Sequence, residues 1–445
     1  MYKNFLFIVI YLLFILIIFT KNLFAENNFL DINYSSKNIN DIKKIWTNNS
    51  GIFKDTQSKP VIYDDKIIFL DGFKNLRVVS ITSGKDLCVN KGQKDKKPMR
   101  GIGLYKKNPN EIYAVFVRNS NLIQVNIINC KEKISEKKLF LKSVVAPVLI
   151  DDNTAFILRN GKPPIAYNLD TSEILWEAKV KKEIKLKLIN ENSNLVLKWN
   201  VWGGGVIDKK YNQLIFSTSN PKPGYISDKR LGKNLFHNSI VSVDLNTGLY
   251  KWHFQEIEHD LLNLDLASPP ILLSYKNKDL KDNDYVAQAT KTGQLLLVER
   301  YTGKPSEPII KKKFFPHRDN LKITTIRKYF PDWLTYSKSN FLENDINTLS
   351  VKYKNQANKI IKKSIINEYQ GLERGKDYIH YGMHGGTEWP FIAATSKGIV
   401  VVPSNNIAWV SRLNDSYYEQ YLNLIYEIFN FKFHNFLHYL KRIKR

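Results

Sequence analysis

Residues 240–254 read IVSVDLNTGLYKWHF. A short apolar strand runs into Asp244, a polar turn ends at Gly248, and a second strand carries Trp252. Gly248 is free to take the positive φ that a tight hairpin needs. The same kernel recurs in both directions. Upstream lie KPVIYDDKIIFL (59–70), RVVSITSGKDLC (77–88), APVLIDDNTAFIL (146–158), IAYNLDTSEILWEA (165–178) and GGVIDKKYNQLIFSTSN (204–220). Downstream lie YVAQATKTGQLLLVERYTGKP (285–305) and GIVVVPSNNIAWVSRL (398–413). Gly84 and Gly303 stand where Gly248 does, and Trp176 and Trp252 fall at matching places after the turn. Short strands with a recurrent aromatic predict an all-β radial array, a β-propeller.

Two stretches break the pattern. Residues 306–380 hold few clean strands, and 343–370 reads as partly helical and basic, so 306–380 is expected to be an irregular insertion. Residues 414–445 form an aromatic, basic tail that reads as helical. It suits a membrane surface or a cap on the last blade. At the other end, Lys3 precedes an uninterrupted apolar run from Phe5 to Phe19, short for crossing a membrane, with Ala25 as a cleavage position. Residues 1–25 therefore read as a signal peptide or N-terminal anchor. The propeller is expected over 26–413, on the periplasmic side of the inner membrane.

The composition narrows the function. Lys and Arg number 67 against 42 Asp and Glu, a net charge of +25. Such an excess favours anionic partners, yet the basic residues are scattered and no nucleic-acid reader motif occurs. No nucleic-acid partner is expected. Two cysteines, Cys88 and Cys130, exclude a disulfide framework and any CxxC site for zinc, thiol exchange or haem. A single disulfide between them and a pair of buried thiols are both open.

Residues 202–272 carry the identification. Together with three further motifs in family order, WGGGVID (202–208) and STSNPKPG (217–224) resemble the pyrroloquinoline quinone (PQQ)-dependent dehydrogenases. The other three are RGIGLY (100–105), KTGQLLLVERYTGKP (291–305) and HGGTEWPFIAATSKGIVVVPSNNIAW (384–409). HDLLNLDLASPPIL (259–272) and Lys291 are closest to the glucose dehydrogenase branch. The resemblance covers about residues 45–413. It implies an eight-bladed quinoprotein propeller, here incomplete, with six or seven recognisable blades. It also implies hydride transfer from an alcohol or sugar to PQQ, held with Ca²⁺ or a lanthanide. Electrons would leave to a quinone pool or a separate cytochrome.

The chemistry matches those residue types. PQQ is a planar tricarboxylate o-quinone, so it needs an aromatic platform, cations for its carboxylates and a charge beside its reactive carbonyl. The resemblance places Trp202 under the ring plane and Arg100 on a carboxylate as a bidentate fork. It places Lys291 against the quinone carbonyl, where it favours developing negative charge. Asn220 would offer an amide oxygen to the hard cation. Glu388 and Trp409 would lie near the cofactor.

Several positions depart from the family pattern. The substrate-activating Asp of the family is Asn263, and an amide cannot take a proton as a carboxylate does. Asp265, two residues on and on the same face of an extended segment, is the candidate base and metal ligand. Asp260 reads as structural. The cofactor-proximal Glu of relatives aligns with Gln57, and the Gly-Ala-Glu metal segment has no counterpart in RNGKPPIAYNLD (159–170). An incomplete ring would expose strand edges. The alternative reading is therefore a non-catalytic propeller, a binding or envelope-assembly scaffold. The orientation of Asp265 separates the two.

Overall fold

The computed structural model describes residues 43–48, 56–92, 99–135, 139, 141, 144–192, 199–222, 224–225, 230, 232–276, 282–314, 324–338, 341–346, 350–366, 371–373, 375–381, 386–389, 392–395 and 399–413. The expected signal or anchor (1–25) and the expected helical tail (414–445) lie outside the described residues. The chain divides into two units. The smaller comprises residues 1–43 and 393–401, and the larger 44–392 and 402–445.

In the larger unit the hairpin kernels become four-stranded antiparallel sheets in chain order. The first is β1 (Val61–Tyr63), β2 (Lys66–Leu70), β3 (Leu76–Ser80) and β4 (Asp86–Asn90). The second is β5 (Gly103–Asn108), β6 (Glu111–Arg118), β7 (Asn121–Asn126) and β8 (Glu132–Ile134). The third is β9 (Leu149–Asp151), β10 (Thr154–Ile157), β11 (Ile165–Asn168) and β12 (Ile174–Glu177). The fourth is β13 (Gly204–Asp208), β14 (Gln213–Ser217), β15 (Ser239–Asp244) and β16 (Tyr250–Gln255). After β17 (Ile257–Glu258), a fifth sheet of three strands follows: β18 (Ile271–Lys276), β19 (Asp282–Ala289) and β20 (Leu295–Glu299).

The inner strand β14 is buried on both faces, and its alternate residues serve different neighbours. All five residues of β14 are buried. Leu214 and Phe216 pack into the core shared with Phe156 and Trp176 of the third sheet. Ile215 packs into the core shared with Val286 and Leu296 of the fifth. This explains why LIF (214–216) is a continuous apolar run rather than an alternating one. Removing the Phe216 ring would cost about 3–5 kcal/mol.

One turn recurs five times and locks the outer strands. The backbone N–H of Gly84, Cys130, Ser172, Gly248 and Gly303 donates four residues back, to Ser80, Asn126, Asn168, Asp244 and Glu299. All five residues have φ between 61° and 68°. At three of these positions a tryptophan from the preceding segment lies against the glycine. A Cβ on Gly84, Gly248 or Gly303 would approach Trp46, Trp176 or Trp252 to 2.5 Å or less. Each indole N–H then donates to the carbonyl three residues before that glycine: Ile81, Leu245 and Arg300. The kernel's Gly and Trp are thus two halves of one contact between consecutive sheets.

The stretch 306–380 differs from expectation. It contributes β21 (Ile310–Phe314) and β22 (Thr325–Tyr329), which join β17 in a three-stranded sheet. Its low alternation arises because β21 is an exposed lysine-rich edge, the usual protection of a free edge. A helix, Val351–Ile361, does form in the segment expected to be partly helical, and a helix not anticipated, Lys182–Asn192, follows the third sheet. Next come β23 (Ser364–Ile366) and β24 (Asp377–His380). In the smaller unit β25 (Ala393–Ala394) pairs with β26 (Val400–Val401). In the larger, β27 (Trp409–Arg412) pairs antiparallel with β24. Cys88 and Cys130, whose pairing the sequence left open, are joined as a disulfide.

Candidate active site

A cavity of about 710 Å³ in the larger unit is lined by Arg100, Trp202, Asn220, Asp265, Lys291 and Glu388, among others. These are six of the seven residues singled out from the sequence. They are brought together from the approach to β5, the approach to β13, the end of β14, the loop after β17, the turn after β19 and the segment before β25.

The glycines beside Trp202 are explained by close approach. A Cβ on Gly203 would fall 2.6 Å from the Ala267 carbonyl oxygen, and one on Gly205 2.7 Å from that of Ile215. Gly204 adopts φ +134°. Only a chain without side chains can press so tightly against the 265–269 segment. The Asp265 loop is itself shaped by Asp260. That buried carboxylate accepts the N–H groups of Leu262 (2.8 Å) and Leu264 (2.7 Å) and the Asn238 amide (3.0 Å). Burial pushes the Asp260 pKa up, and these hydrogen bonds oppose the rise. Asn263 sits in the left-handed region, at φ 61°, which asparagine tolerates.

Asp265 lies at the centre of the polar contacts. Its Oδ1 accepts the Asn220 N–H at 2.8 Å and the Trp202 indole N–H at 3.3 Å. Its Oδ2 accepts from the Lys291 ammonium at 2.9 Å. Lys291 also donates to the Asn263 carbonyl at 3.2 Å and lies 3.4 Å from Glu388 Oε1. Burial is the largest single influence on Lys291 and lowers its pKa. The two carboxylates together outweigh it, so its pKa lies above the ordinary lysine value. Lys291 is a permanent cation at neutral pH.

The indole of Trp202 meets both cations. The Arg100 guanidinium lies 4.0 Å from its ring centroid and the Lys291 ammonium 5.7 Å from it. Such contacts contribute on the order of 0.5–2 kcal/mol each. Arg100 also donates to the Trp202 carbonyl at 2.8 Å and reaches Gln57 Oε1 at 3.5 Å. Burial pulls its pKa down to about 10, opposed by Glu388 and Asp265. It stays charged.

The loop carrying Lys291 is held from behind. Glu256, fully buried, accepts from Thr292 Oγ1 at 2.6 Å, while the Tyr336 hydroxyl donates to the Thr290 carbonyl at 2.7 Å. A Cβ on Gly386 would strike the Lys291 carbonyl oxygen at 2.4 Å, which brings the Glu388 segment against that loop.

Trp409 is the seventh candidate. It does not line the cavity; it stands in β27, opposite His380 of β24. The aromatic that lines the cavity with Glu388 is its neighbour Trp389, whose ring lies 5.6 Å from the Arg100 guanidinium. Trp389 was visible in the quoted GTEWP block but could not be told from Trp409 without coordinates. Lys222, Asn263, Asn160 and Asn200 also line the cavity. Lys222 Nζ approaches Asn263 Oδ1 at 3.5 Å.

The donor set suits an anionic planar guest and a hard cation. Two fixed cations and two indoles line one wall. Asn220 Oδ1 is buried without a hydrogen-bond partner, beside the Asp265 carboxylate. An orphaned buried oxygen of this kind calls for a ligand, and amide and carboxylate oxygens are the donors calcium and lanthanide-like ions take. Among the described residues, no group of three or more His, Cys, Asp or Glu forms a metal cluster.

Comparison with known proteins places the chain in a family. The β-propeller domain of the PQQ-dependent glucose/ethanol/alcohol dehydrogenases matches residues 131–424. The chain belongs to this family. One relative is the quinoprotein alcohol dehydrogenase PedH of Pseudomonas putida, 23% identical over 60% of this chain and 50% of that protein. Another is quinoprotein glucose dehydrogenase A of Acinetobacter calcoaceticus, 27% identical over 33% of this chain and 18% of its own length. The chain thus spans half or less of the length of these relatives. Among solved structures, a europium-containing methanol dehydrogenase superposes with a TM-score of 0.58 at 13% identity, covering 86% of this chain and 67% of that one. The quinohemoprotein alcohol dehydrogenase of Comamonas testosteroni gives 0.55 at 17% identity, over 80% and 52%. At such identities the structures establish the fold, an all-β quinoprotein-type propeller.

Proposed function

We propose that the cavity binds PQQ with a calcium or lanthanide ion and that the protein oxidises an alcohol or sugar. The observation carrying this reading is the meeting of Arg100, Trp202, Lys291, Asp265 and Glu388 around one cavity. PQQ, when bound, supplies the two-electron acceptor for the substrate hydride. Trp202 offers a flat stacking surface, and Trp389 adds a second ring beside Arg100. Arg100 has guanidinium N–H groups beyond those turned to Trp202 and Gln57 with which to pair a carboxylate. Lys291, kept protonated by Asp265 and Glu388, would hold its positive charge beside the quinone oxygen on which negative charge develops. Asn220 Oδ1 and Asp265 are the oxygens that would hold the cation.

Asp265 is the proposed base for the substrate hydroxyl proton. Its side chain faces Asn220, Trp202 and Lys291 rather than a blade core or bulk water, the condition that favours catalysis over a scaffold role. A carboxylate can accept about four hydrogen bonds, so its three present partners leave room for a substrate hydroxyl. Electrons would then pass to a quinone pool or a separate cytochrome. Export is supported by the apolar N-terminal run and by the Cys88–Cys130 disulfide, which suits an oxidising compartment such as the periplasm.

The test is to titrate the purified protein with PQQ, with and without Ca²⁺, following quenching of tryptophan fluorescence. Dye reduction over a panel of alcohols and aldoses follows. Quenching that saturates in the micromolar range is expected, and absence of any quenching would remove the proposal.

A further inference from the structure

Three of the repeated turns, at Cys130, Gly248 and Gly303, are each joined to a residue of the preceding sheet. Trp176 and Trp252 occupy one register position: each faces the third strand at the residue just before a shift in pairing, Ala166 and Ser242. Cys88 occupies the same position in the first sheet, opposite Val78 and just before the same shift. It also follows Gly84 by the interval that separates Gly248 from Trp252. The partner side matches too. Cys130 stands where Gly248 and Gly303 stand, with φ 61° and the same N–H donation four residues back, to Asn126 at 2.9 Å. Where Trp176 docks on Gly248 and Trp252 on Gly303, Cys88 is bonded to Cys130.

We infer that this disulfide is a covalent substitute for a tryptophan-on-glycine dock, so that the seam between the first and second sheets is closed by oxidation rather than by aromatic packing. A cysteine pair buries far less area than an indole on a glycine backbone. Reduced, this seam has no aromatic dock between those two positions. Closing it removes one proton and one electron from each thiol. Both electrons and both protons pass by thiol–disulfide exchange to an external disulfide, such as an oxidised dithiol carrier or glutathione disulfide, which becomes two thiols. The inference is independent of any quinone binding. It makes the fold's first joint dependent on the redox state of its surroundings.

The test uses the full chain matured with glutathione disulfide. Thiol titration in denaturant should find no reactive thiol before reduction and two after it. Dithiothreitol should lower Tm by about 5–10 °C. Cys88→Ala with Cys130→Ala should melt like the reduced protein and ignore dithiothreitol. The discriminating variant is Cys88→Trp with Cys130→Gly, which rebuilds the dock found between the third and fourth and the fourth and fifth sheets. It should regain at least half of the lost Tm and be insensitive to reductant. Two titratable thiols after maturation, a Tm unmoved by dithiothreitol, or a Trp/Gly variant no more stable than the double alanine would each overturn the inference.

Discussion

Two buried charge clusters in this protein look alike as residue lists and differ in what they leave open. Around Arg300, after β20, every charge is answered. Its Nη2 donates to Asp208 Oδ1 at 2.5 Å and its Nε to Asp208 Oδ2 at 2.9 Å. Its Nη1 meets Asp284 Oδ1 at 3.1 Å and Ser274 at 2.9 Å. Gln213 adds a second donor to Asp208 Oδ2 at 3.0 Å, and Tyr211 donates to the remaining oxygen, Asp284 Oδ2, at 2.7 Å. Around Lys291 the pairing is as close, but the cluster faces a cavity, two of its cations lie on an indole, and Asn220 Oδ1 has no partner. Burial and ion pairing alone therefore do not mark a site. An unfilled donor set beside open volume does, because leaving a buried polar atom unpaired costs about 1–3 kcal/mol unless something else binds there.

Four experiments probe that contrast. The largest separation is expected from Asp265→Asn. Turnover should fall about 100- to 10,000-fold, while quinone-induced quenching persists; turnover within threefold of the parent would place the base elsewhere. Next, Arg300→Met should leave Asp208 buried and unpaired and lower unfolding stability by about 3–5 kcal/mol. Urea melts would read the loss, and quinone affinity of the folded fraction should not change. A fall in affinity instead would mean that the two clusters are coupled. Third, Trp389→Ala should weaken quinone binding about tenfold, about 1.4 kcal/mol, whereas Trp409→Ala should leave it unmoved. The reverse result would restore the sequence reading of Trp409.

The smallest effect concerns pH. Burial pushes Asp284 up, but hydrogen bonds from Lys210, Ser274 and Tyr211, with the Arg300 charge, bring its pKa down to about 2. A carboxylate depressed in the fold stabilises it above the unfolded pKa near 4. That contribution is lost as pH falls toward 2. Acid melts of Asp284→Asn should be flatter than the parent's between about pH 4 and 2, and identical slopes would deny Asp284 this role.

Much of this arrangement was legible in the chain. Gly248 and Trp252 in IVSVDLNTGLYKWHF announce a hairpin and its inter-sheet contact, because turn chemistry and period-two burial act over a few residues. Six of the seven candidate residues line one cavity, and they lie in motifs that keep Trp202 beside its glycines and Lys291 in its turn. The misses have physical causes. Trp389 and Trp409 both follow polar turns, and nothing local says which faces the cavity. The 306–380 stretch hid two strands because β21 is an exposed lysine edge without alternation. Glu256 gave no signal, since a buried carboxylate behind a loop resembles any surface glutamate in sequence.

Amino-acid order by itself determined the strands of the repeated kernel, its glycine turn positions and the charge each motif carries. Those follow from Cβ sterics, hydrogen-bonding side chains and alternation along a few neighbours. Only the tertiary structure decided that Arg100, Trp202, Asp265, Lys291 and Glu388 share one cavity, and that Cys88 meets Cys130 across a sheet boundary. Such meetings depend on how sheets pack against one another, and that packing sums many weak contacts far apart in the chain.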